Sequence, residues 1–335
     1  MAGAGKPLDP RVLEMDNDQV IDTISQRLRS ILSKDVSRRG FVVAMSGGID
    51  SSVSSALCVK ALGTERVYGL MLPERDSSGA STARGRQLAE HLGIKYEVFD
   101  IASTLEAIGC YRWRDDAIRK VFPAYGEGWK NKIVISGGLE GRVNHFQLVV
   151  QSPDGQMHQE RLGLREYLQI VAATNFKQRI RKTVEYFHAD RLNYAVIGTP
   201  NRLEYDQGFF VKNGDGSADV KPIAHLYKSQ VYALARHMGL PEEICSAIPT
   251  TDTYSLAQGQ DEFYFALPYA GMDLALWALE HGRSAAELAR ALGLSLAQAE
   301  AVYVDIANQR RTTGYLHERP LLVPGHAVVR EEVAA

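Results

Sequence analysis

Ser46-Gly47-Gly48-Ile49-Asp50-Ser51-Ser52 is the stretch that decides how this chain is read. It follows the apolar run Phe41-Val42-Val43-Ala44-Met45, which reads as a buried parallel strand. It precedes Val53, Ala56, Leu57 and Val59, an apolar face suited to a helix. Strand, glycine turn and helix start together aim backbone N–H groups and a positive helix end at an anion. Gly47 and Gly48 let the backbone approach phosphate oxygens closely, and Ser46, Ser51 and Ser52 add hydroxyl donors. Asp50 would repel a phosphate directly, so its natural role is to hold Mg²⁺ against it.

An ordinary strand-to-helix turn accounts for the glycines but not for the whole Ser-Gly-Gly-x-Asp-Ser-Ser string. The order also differs from the GxxxxGK[ST] and GxGxxG cradles. It resembles the loop of the ATP pyrophosphatases, which split ATP into AMP and pyrophosphate while activating a substrate.

The chain has 335 residues, enough for a sizeable core, and its 45% hydrophobic and 23% charged content is that of a globular protein. A net charge of −2 argues against bulk electrostatic binding of nucleic acid. Cys58, Cys110 and Cys245 are far apart in sequence, which suggests a reducing compartment, no metal cluster and three small buried side chains. The first ten residues lack the apolar core of a leader, and no apolar run approaches a membrane span. A cytoplasmic protein is expected.

Alternation of strand and helix carries outward from the loop. Asp18–Leu32 has Ile21, Ile24, Leu28 and Ile31 at helical spacing. Arg66–Leu72 reads as a strand, Ser81–Leu92 as a helix closed by Gly93, and Lys95–Phe99 as a further strand. A long helix is expected over Leu164–Ala189, a buried strand over Tyr194–Gly198, and a helix over Leu226–Met238. This rhythm predicts a doubly wound parallel α/β sheet with flanking helices and a helical C-terminal part. Residues 126–161 interrupt it. Lys132–Ile135 and Phe146–Val150 are strand-like and Pro153-Asp154-Gly155 is a turn signal, so a β-hairpin is expected, its alternating Phe146, Leu148 and Val150 needing one covered face. Ser284–Gln309 has a superficial helix-turn-helix pattern, yet four basic residues (Arg283, Arg290, Arg310, Arg311) face three acidic ones (Glu287, Glu300, Asp305) around it. That charge is weak for a recognition helix, and a helical pair packed on the sheet domain is the better reading.

The strand ending at Ile197 runs into Gly198-Thr199-Pro200-Asn201-Arg202-Leu203-Glu204. Ligands of open parallel sheets sit at the carboxyl ends of the strands, so this loop should face the phosphate loop. Glu204 would then be a second Mg²⁺ ligand opposite Asp50, unless it is a solvated loop carboxylate. Residues 208–219 are rich in glycine and aspartate, and Lys228 and Pro249-Thr250-Thr251-Asp252 follow; each alone is ordinary turn or surface chemistry.

Together they are specific. SGGIDSS, Asn175–Arg181, GTPNRLE, GFFVKNGDGSADVKPI, LYKSQV and PTTD occur in the order and spacing of the NAD synthetase family, and the resemblance runs from the helix before Ser46 to Arg310. Similar proteins form the last amide of NAD from nicotinic acid adenine dinucleotide (deamido-NAD), ATP and ammonia, as homodimers. The resemblance implies an adenine-nucleotide α-hydrolase-like fold in a single domain over residues 15–320, with tails at 1–14 and 321–335. It implies that Ser46, Gly47, Gly48, Asp50, Ser51 and Ser52 hold the ATP phosphates, with Thr199, Lys228 and Thr250 also contacting ATP. Asp50 and Glu204 would carry Mg²⁺, while Arg179, Lys212 and Asp219 would lie against the dinucleotide. Asp50, Lys228 and Asp219 would be the catalytic groups.

Departures from the family pattern fall on the acid-substrate half: PTTDTYS near Thr250, GQDEFYF near Asp261, Gln309-Arg310-Arg311, and the long 126–161 insertion. A ligase amidating a different acid therefore stands as the alternative, ahead of a nucleotide sensor or DNA-binding regulator. Too few residues precede Asp18 for a glutaminase, so free ammonia, or ammonia from a separate glutaminase partner, is expected.

Overall fold

Phe41, Val42 and Val43 are excluded from solvent on both faces, the pattern of a central parallel strand. In the computed structural model, which describes residues 7–136, 145–247, 254–256, 267–321 and 323, they form β1 (Phe41–Ala44). It pairs in parallel with β2 (Val67–Met71) on one side and β7 (Ala195–Ile197) on the other. β3 (Lys95–Val98) pairs outside β2, giving the order β3-β2-β1-β7.

Helices α1 (Asn17–Ser30), α2 (Ile49–Leu62) and α3 (Gly79–Leu92) alternate with these strands, and Gly93 closes α3 in the left-handed conformation the sequence anticipates. α4 (Ala102–Ala107) and α5 (Cys110–Val121) follow β3, and the long α6 (Leu164–Leu192) precedes β7. α7 (Arg202–Gln207), α8 (Lys228–His237) and α9 (Glu242–Cys245) come after it. Leu28, Leu57 and Val231 of α1, α2 and α8 pack with Phe41 and Val43 on one face. Leu105, Tyr111 and Ala189 of α4, α5 and α6 pack with Val42, Leu70 and Val196 on the other. The sheet is doubly wound, as read from the sequence.

The insertion corrects the sequence reading. Instead of a hairpin it forms a three-stranded antiparallel sheet of β4 (Lys130–Ser136), β5 (His145–Gln151) and β6 (Met157–Arg161). β6 escapes a reading by periodicity because every one of its residues is exposed, so no apolar alternation marks it. The covered face expected of Phe146, Leu148 and Val150 is supplied from within the chain: Leu148, Val150 and Ile133 pack with Ile118 of α5 and Ile170 of α6.

α10 (Tyr269–Glu280), α11 (Ala285–Leu292) and α12 (Leu296–His317) form the C-terminal part, with Gly293 separating the last two. Their Met272, Leu276, Leu288, Val302 and Ile306 share a core with Leu203 of α7 and Tyr227 at the start of α8. Arg310 reaches Asp206 at 2.8 Å and Glu280 at 3.2 Å, fastening α12 to α7 and α10. The helical pair thus packs on the sheet domain. Leu8 and Leu13 are buried in the same core, so part of the segment expected as an N-terminal tail is packed. Among the described residues no helix is long and apolar enough to cross a membrane.

Candidate active site

The loop between β1 and α2 owes its shape to Gly47. Its φ is +75°, and a Cβ there would lie 2.2 Å from the Ser81 carbonyl oxygen, so only glycine fits. Arg84 Nε donates to the Gly47 carbonyl at 3.0 Å, tying the loop to α3. Gly48 is the N-cap of α2 and contributes no side-chain cap, which leaves the first turn open towards a ligand. Ser46 and Ser51 hydroxyls lie 3.1 Å apart across the turn. The Ser51 and Ser52 hydroxyls both donate to the Gly48 carbonyl, at 3.0 and 2.8 Å.

This loop forms one end of a cavity of about 680 Å³ lined by Ser46, Gly47, Gly48, Asp50 and Ser51. Thr199, Glu204 of α7 and Lys228 of α8 also line it, as do Arg179 of α6 and Lys212. Ser52 and Asp219 are not on its wall. Asp219 is exposed and braces the sheet edge: its carboxylate accepts the Val196 N–H at 2.7 Å and the Tyr186 hydroxyl at 3.3 Å. A catalytic role in this cavity is therefore not what its surroundings suggest. Thr250, like the rest of PTTD and the Asp261 stretch, lies outside the described residues.

Asp50, Glu204 and Lys228 converge from α2, α7 and α8. The Lys228 ammonium donates to Asp50, whose other oxygen accepts from Asn201 Nδ2 at 3.2 Å. Asn201 and Glu204 form a capping box on α7: the Asn201 N–H donates to Glu204 at 3.2 Å and the Glu204 N–H to Asn201 at 3.1 Å. The cap fixes the Glu204 carboxyl beside Asp50. Burial, with Asp50 close by, pushes Glu204 up to about 8 against the pull of Lys228. Burial disfavours the Lys228 charge, but Asp50 and Glu204 outweigh it and hold the ammonium above its usual value. Asp273 of α10 accepts the Lys228 and Ser229 N–H groups at 3.2 and 2.7 Å, which seats the lysine at the start of α8.

Two close carboxylates of which one resists ionisation suit a hard divalent cation, since a cation would relieve the repulsion and oxygens are the donors Mg²⁺ takes. No group of three or more His, Cys, Asp or Glu side chains among the described residues could hold a metal alone. Phosphate oxygens from a ligand on the adjoining loop would have to complete the shell. The donor set fits a nucleotide-bound Mg²⁺.

Other residues were not singled out from sequence. Asn201 reads from sequence only as part of the loop after β7, although Asn three residues before Glu is a capping-box signal. A buried network holds the segment after β2, whose Leu72, Pro73 and Ser77 line the cavity. Lys177 bridges Glu74 at 3.0 Å and Asp76 at 2.7 Å, Tyr111 donates to Glu74 at 2.8 Å, and Arg114 pairs with Asp76. Burial alone would raise Asp76, but Lys177 and Arg114 draw its carboxyl below the usual range. Further along α6, Lys182 pairs with Glu185 at 2.6 Å on the cavity wall. Lys212 donates to the carbonyls of Tyr315 at 2.6 Å and Glu318 at 3.1 Å, and Arg179 to the Lys212 carbonyl at 3.3 Å, joining loop, α6 and the end of α12.

Comparison with known proteins agrees with this geometry. The chain is 57% identical over 312 residues to the NH(3)-dependent NAD(+) synthetase of Rhizobium meliloti (strain 1021), covering 93% of each protein. Among solved structures it is similar to NMN synthetase from Francisella tularensis (TM-score 0.64, 20% identity, 93% of this chain and 100% of that one). It is also similar to the NH3-dependent NAD synthetase of Campylobacter jejuni (TM-score 0.60, 22% identity, 92% and 100%). The NAD synthase family model matches residues 20–120 and 142–313. The chain belongs to the NAD synthase family.

Proposed function

We propose that the protein is an ammonia-dependent NAD synthetase, a ligase that converts deamido-NAD, ATP and ammonia to NAD, AMP and pyrophosphate. The observation that carries this reading is the convergence of Asp50, Glu204 and Lys228 beneath the open first turn of α2, in a chain of this family. A related ligase for another acid is not favoured, given the identity to the Rhizobium enzyme.

A carboxylate is a poor electrophile, so the acid must first be activated. Its oxygen attacks the α-phosphorus of ATP, the bond to the β-phosphate oxygen breaks, and pyrophosphate leaves with the electron pair. Ammonia then attacks the acyl carbon of the adenylate, AMP departs, and the nitrogen loses a proton. Ser46, Ser51 and the N–H groups around Gly48 cradle the phosphates, while Lys228 offsets charge gathering on pyrophosphate. Asn201 and the α7 cap keep both carboxylates aimed inward. Mg²⁺ held by Asp50 and Glu204 would supply further neutralisation of the leaving anion. Thr199 and Thr250 would contact ATP, and Arg179 and Lys212 the dinucleotide.

Residues 15–320, together with the packed segment carrying Leu8 and Leu13, act as one unit in this reading, in the cytoplasm, as a homodimer. Exposed Leu164 and Leu168, one turn apart on α6, and exposed Trp113 on α5 are apolar groups that a second copy would cover. The reading is tested by incubating the protein with ATP, Mg²⁺, ammonium and deamido-NAD and separating the products. NAD, AMP and pyrophosphate are expected in equal amounts. ADP and orthophosphate would overturn the reaction class.

A further inference from the structure

The loop between β1 and α2 lies directly on the start of α3. A Cβ on Gly47 would meet the Arg84 Cβ at 3.2 Å as well as the Ser81 carbonyl, and Ser81, Thr82 and Arg84 line the cavity beside the loop. Arg84 Nε is bonded to the Gly47 carbonyl, and one Nη reaches the Ser81 hydroxyl only at 3.4 Å. A guanidinium offers a planar fork of N–H donors, and most of this fork stays uncommitted.

The charge around the loop shows what such a fork can do. Lys228 reaches the same loop, but it is paired with Asp50, and Glu204 lies beside them. Those three groups hold no surplus positive charge to set against a triphosphate. Arg84 has no carboxylate partner among the described residues, unlike Arg114, Arg202 and Arg310. Of the other cavity-lining arginines, Arg179 donates to the Lys212 carbonyl and Arg181 to that of Leu72, neither of them on the loop. Sheet order puts Arg84 and Lys228 on opposite flanks. α3 follows β2 and α8 follows β7, and these strands are the two neighbours of β1, from which the loop springs. Attacking and leaving oxygens stand roughly in line across the α-phosphorus, so pyrophosphate leaves on the side away from the acid, towards the loop.

We propose that Arg84 is a second phosphate-binding cation, contacting the pyrophosphate half of ATP through its Nη groups while Nε keeps the Gly47 carbonyl. The proposal rests on the reading of the Ser46–Ser51 loop as the ATP cradle of a ligase. Arg84 binds ATP and, with Lys228, offsets the charge that gathers on pyrophosphate as it leaves. Its removal therefore lowers both affinity and turnover.

Titration calorimetry of the full chain with inorganic pyrophosphate and with AMP, both in Mg²⁺, tests it. Arg84→Gln removes the charge, keeps a side-chain N–H and places a good helix former at a partly exposed position, so its melting temperature should stay near wild type. Pyrophosphate binding is expected to weaken about ten-fold or more, the loss of a charge-assisted hydrogen bond, with AMP binding unchanged. Arg84→Lys keeps the charge and should stay within about three-fold of wild type. kcat/KM for ATP should follow pyrophosphate affinity through the series. Arg84→Met serves as a second charge-free variant should Arg84→Gln disturb the fold. Unchanged pyrophosphate binding in the charge-free variant overturns the proposal. So do equal losses in Arg84→Gln and Arg84→Lys, which would make Arg84 a brace of the loop and nothing more. A wild type that binds neither pyrophosphate nor ATP overturns the cradle itself, a result distinct from wild-type binding that Arg84→Gln leaves undisturbed.

Discussion

Gly47 and the three converging side chains carry the sharpest expectations at the residue scale. Gly47→Ala forces a Cβ into the Ser81 carbonyl and a positive φ on alanine, so it should abolish ATP binding, measured by calorimetry, and cost about 1–3 kcal/mol in stability. Glu204→Gln keeps the α7 cap, since an amide oxygen can still accept the Asn201 N–H, yet removes a charge from the cation site. Its melting temperature should stay near wild type while turnover falls roughly 10²-fold or more. Asp50→Asn should lose activity to a similar degree but also destabilise by about 2 kcal/mol, because it removes the ion-pair partner of buried Lys228. Turnover and thermal denaturation measured together separate the two roles. Near wild-type turnover at saturating Mg²⁺ in either variant would remove that residue from the mechanism. Ser46, Gly48, Asp50 and Ser51 were legible because their spacing in sequence is their spacing in space. Asn201's cap of α7 has a local signature, but its bond to Asp50, like those of Lys177 to Glu74 and Asp76, joins remote segments, which no local spacing reveals.

Two elements have consequences of their own. The β4–β6 sheet is fastened by Ile133, Leu148 and Val150, all fully buried against α5 and α6. Leu148→Ala should therefore destabilise the protein by about 2–5 kcal/mol, read by chemical denaturation. A merely decorative sheet would show almost no change. The C-terminal half of α6 lies on the main sheet through His188, which stacks on Tyr68 and accepts from Arg191 at 2.8 Å through Nδ1. Burial and the Arg191 charge hold His188 below its ordinary 6.5, with Glu97 opposing only in part. The unfolded chain then takes up the proton first as pH falls. This contribution to stability is full above 6.5 and is lost as pH drops through the lowered value. Melting temperature should decline over that window, and His188→Phe should flatten the decline; an unaltered slope would show that other groups govern it. The periodicity of α6 was readable as a helix, but not that one end would serve the sheet and the other the cavity.

At the scale of the whole molecule, the cavity draws on both faces of the fold, the added sheet and the end of α12, so ligand binding should report on all of them. ATP with Mg²⁺ at 100 times its dissociation constant should stabilise the chain by about 2.7 kcal/mol, seen as a higher melting temperature. Omitting Mg²⁺ should remove most of that gain if Asp50 and Glu204 hold the cation. Equal shifts with and without the metal would count against the site.

The sequence alone determined the doubly wound sheet, because alternating apolar strands and amphipathic helices with short connections admit few other packings. It also located the Ser46–Ser52 loop proposed to hold the phosphates, a contiguous motif whose glycines shape the neighbouring backbone. Only the tertiary structure decided that the insertion has three strands, since exposed β6 carries no apolar pattern and is defined solely by its hydrogen bonds to β5. Only the tertiary structure set Asp219 to bracing the sheet edge away from the cavity, because its partners Val196 and Tyr186 come from other elements. Local patterns encode what a segment buries; what a side chain faces depends on contacts between segments distant in the chain.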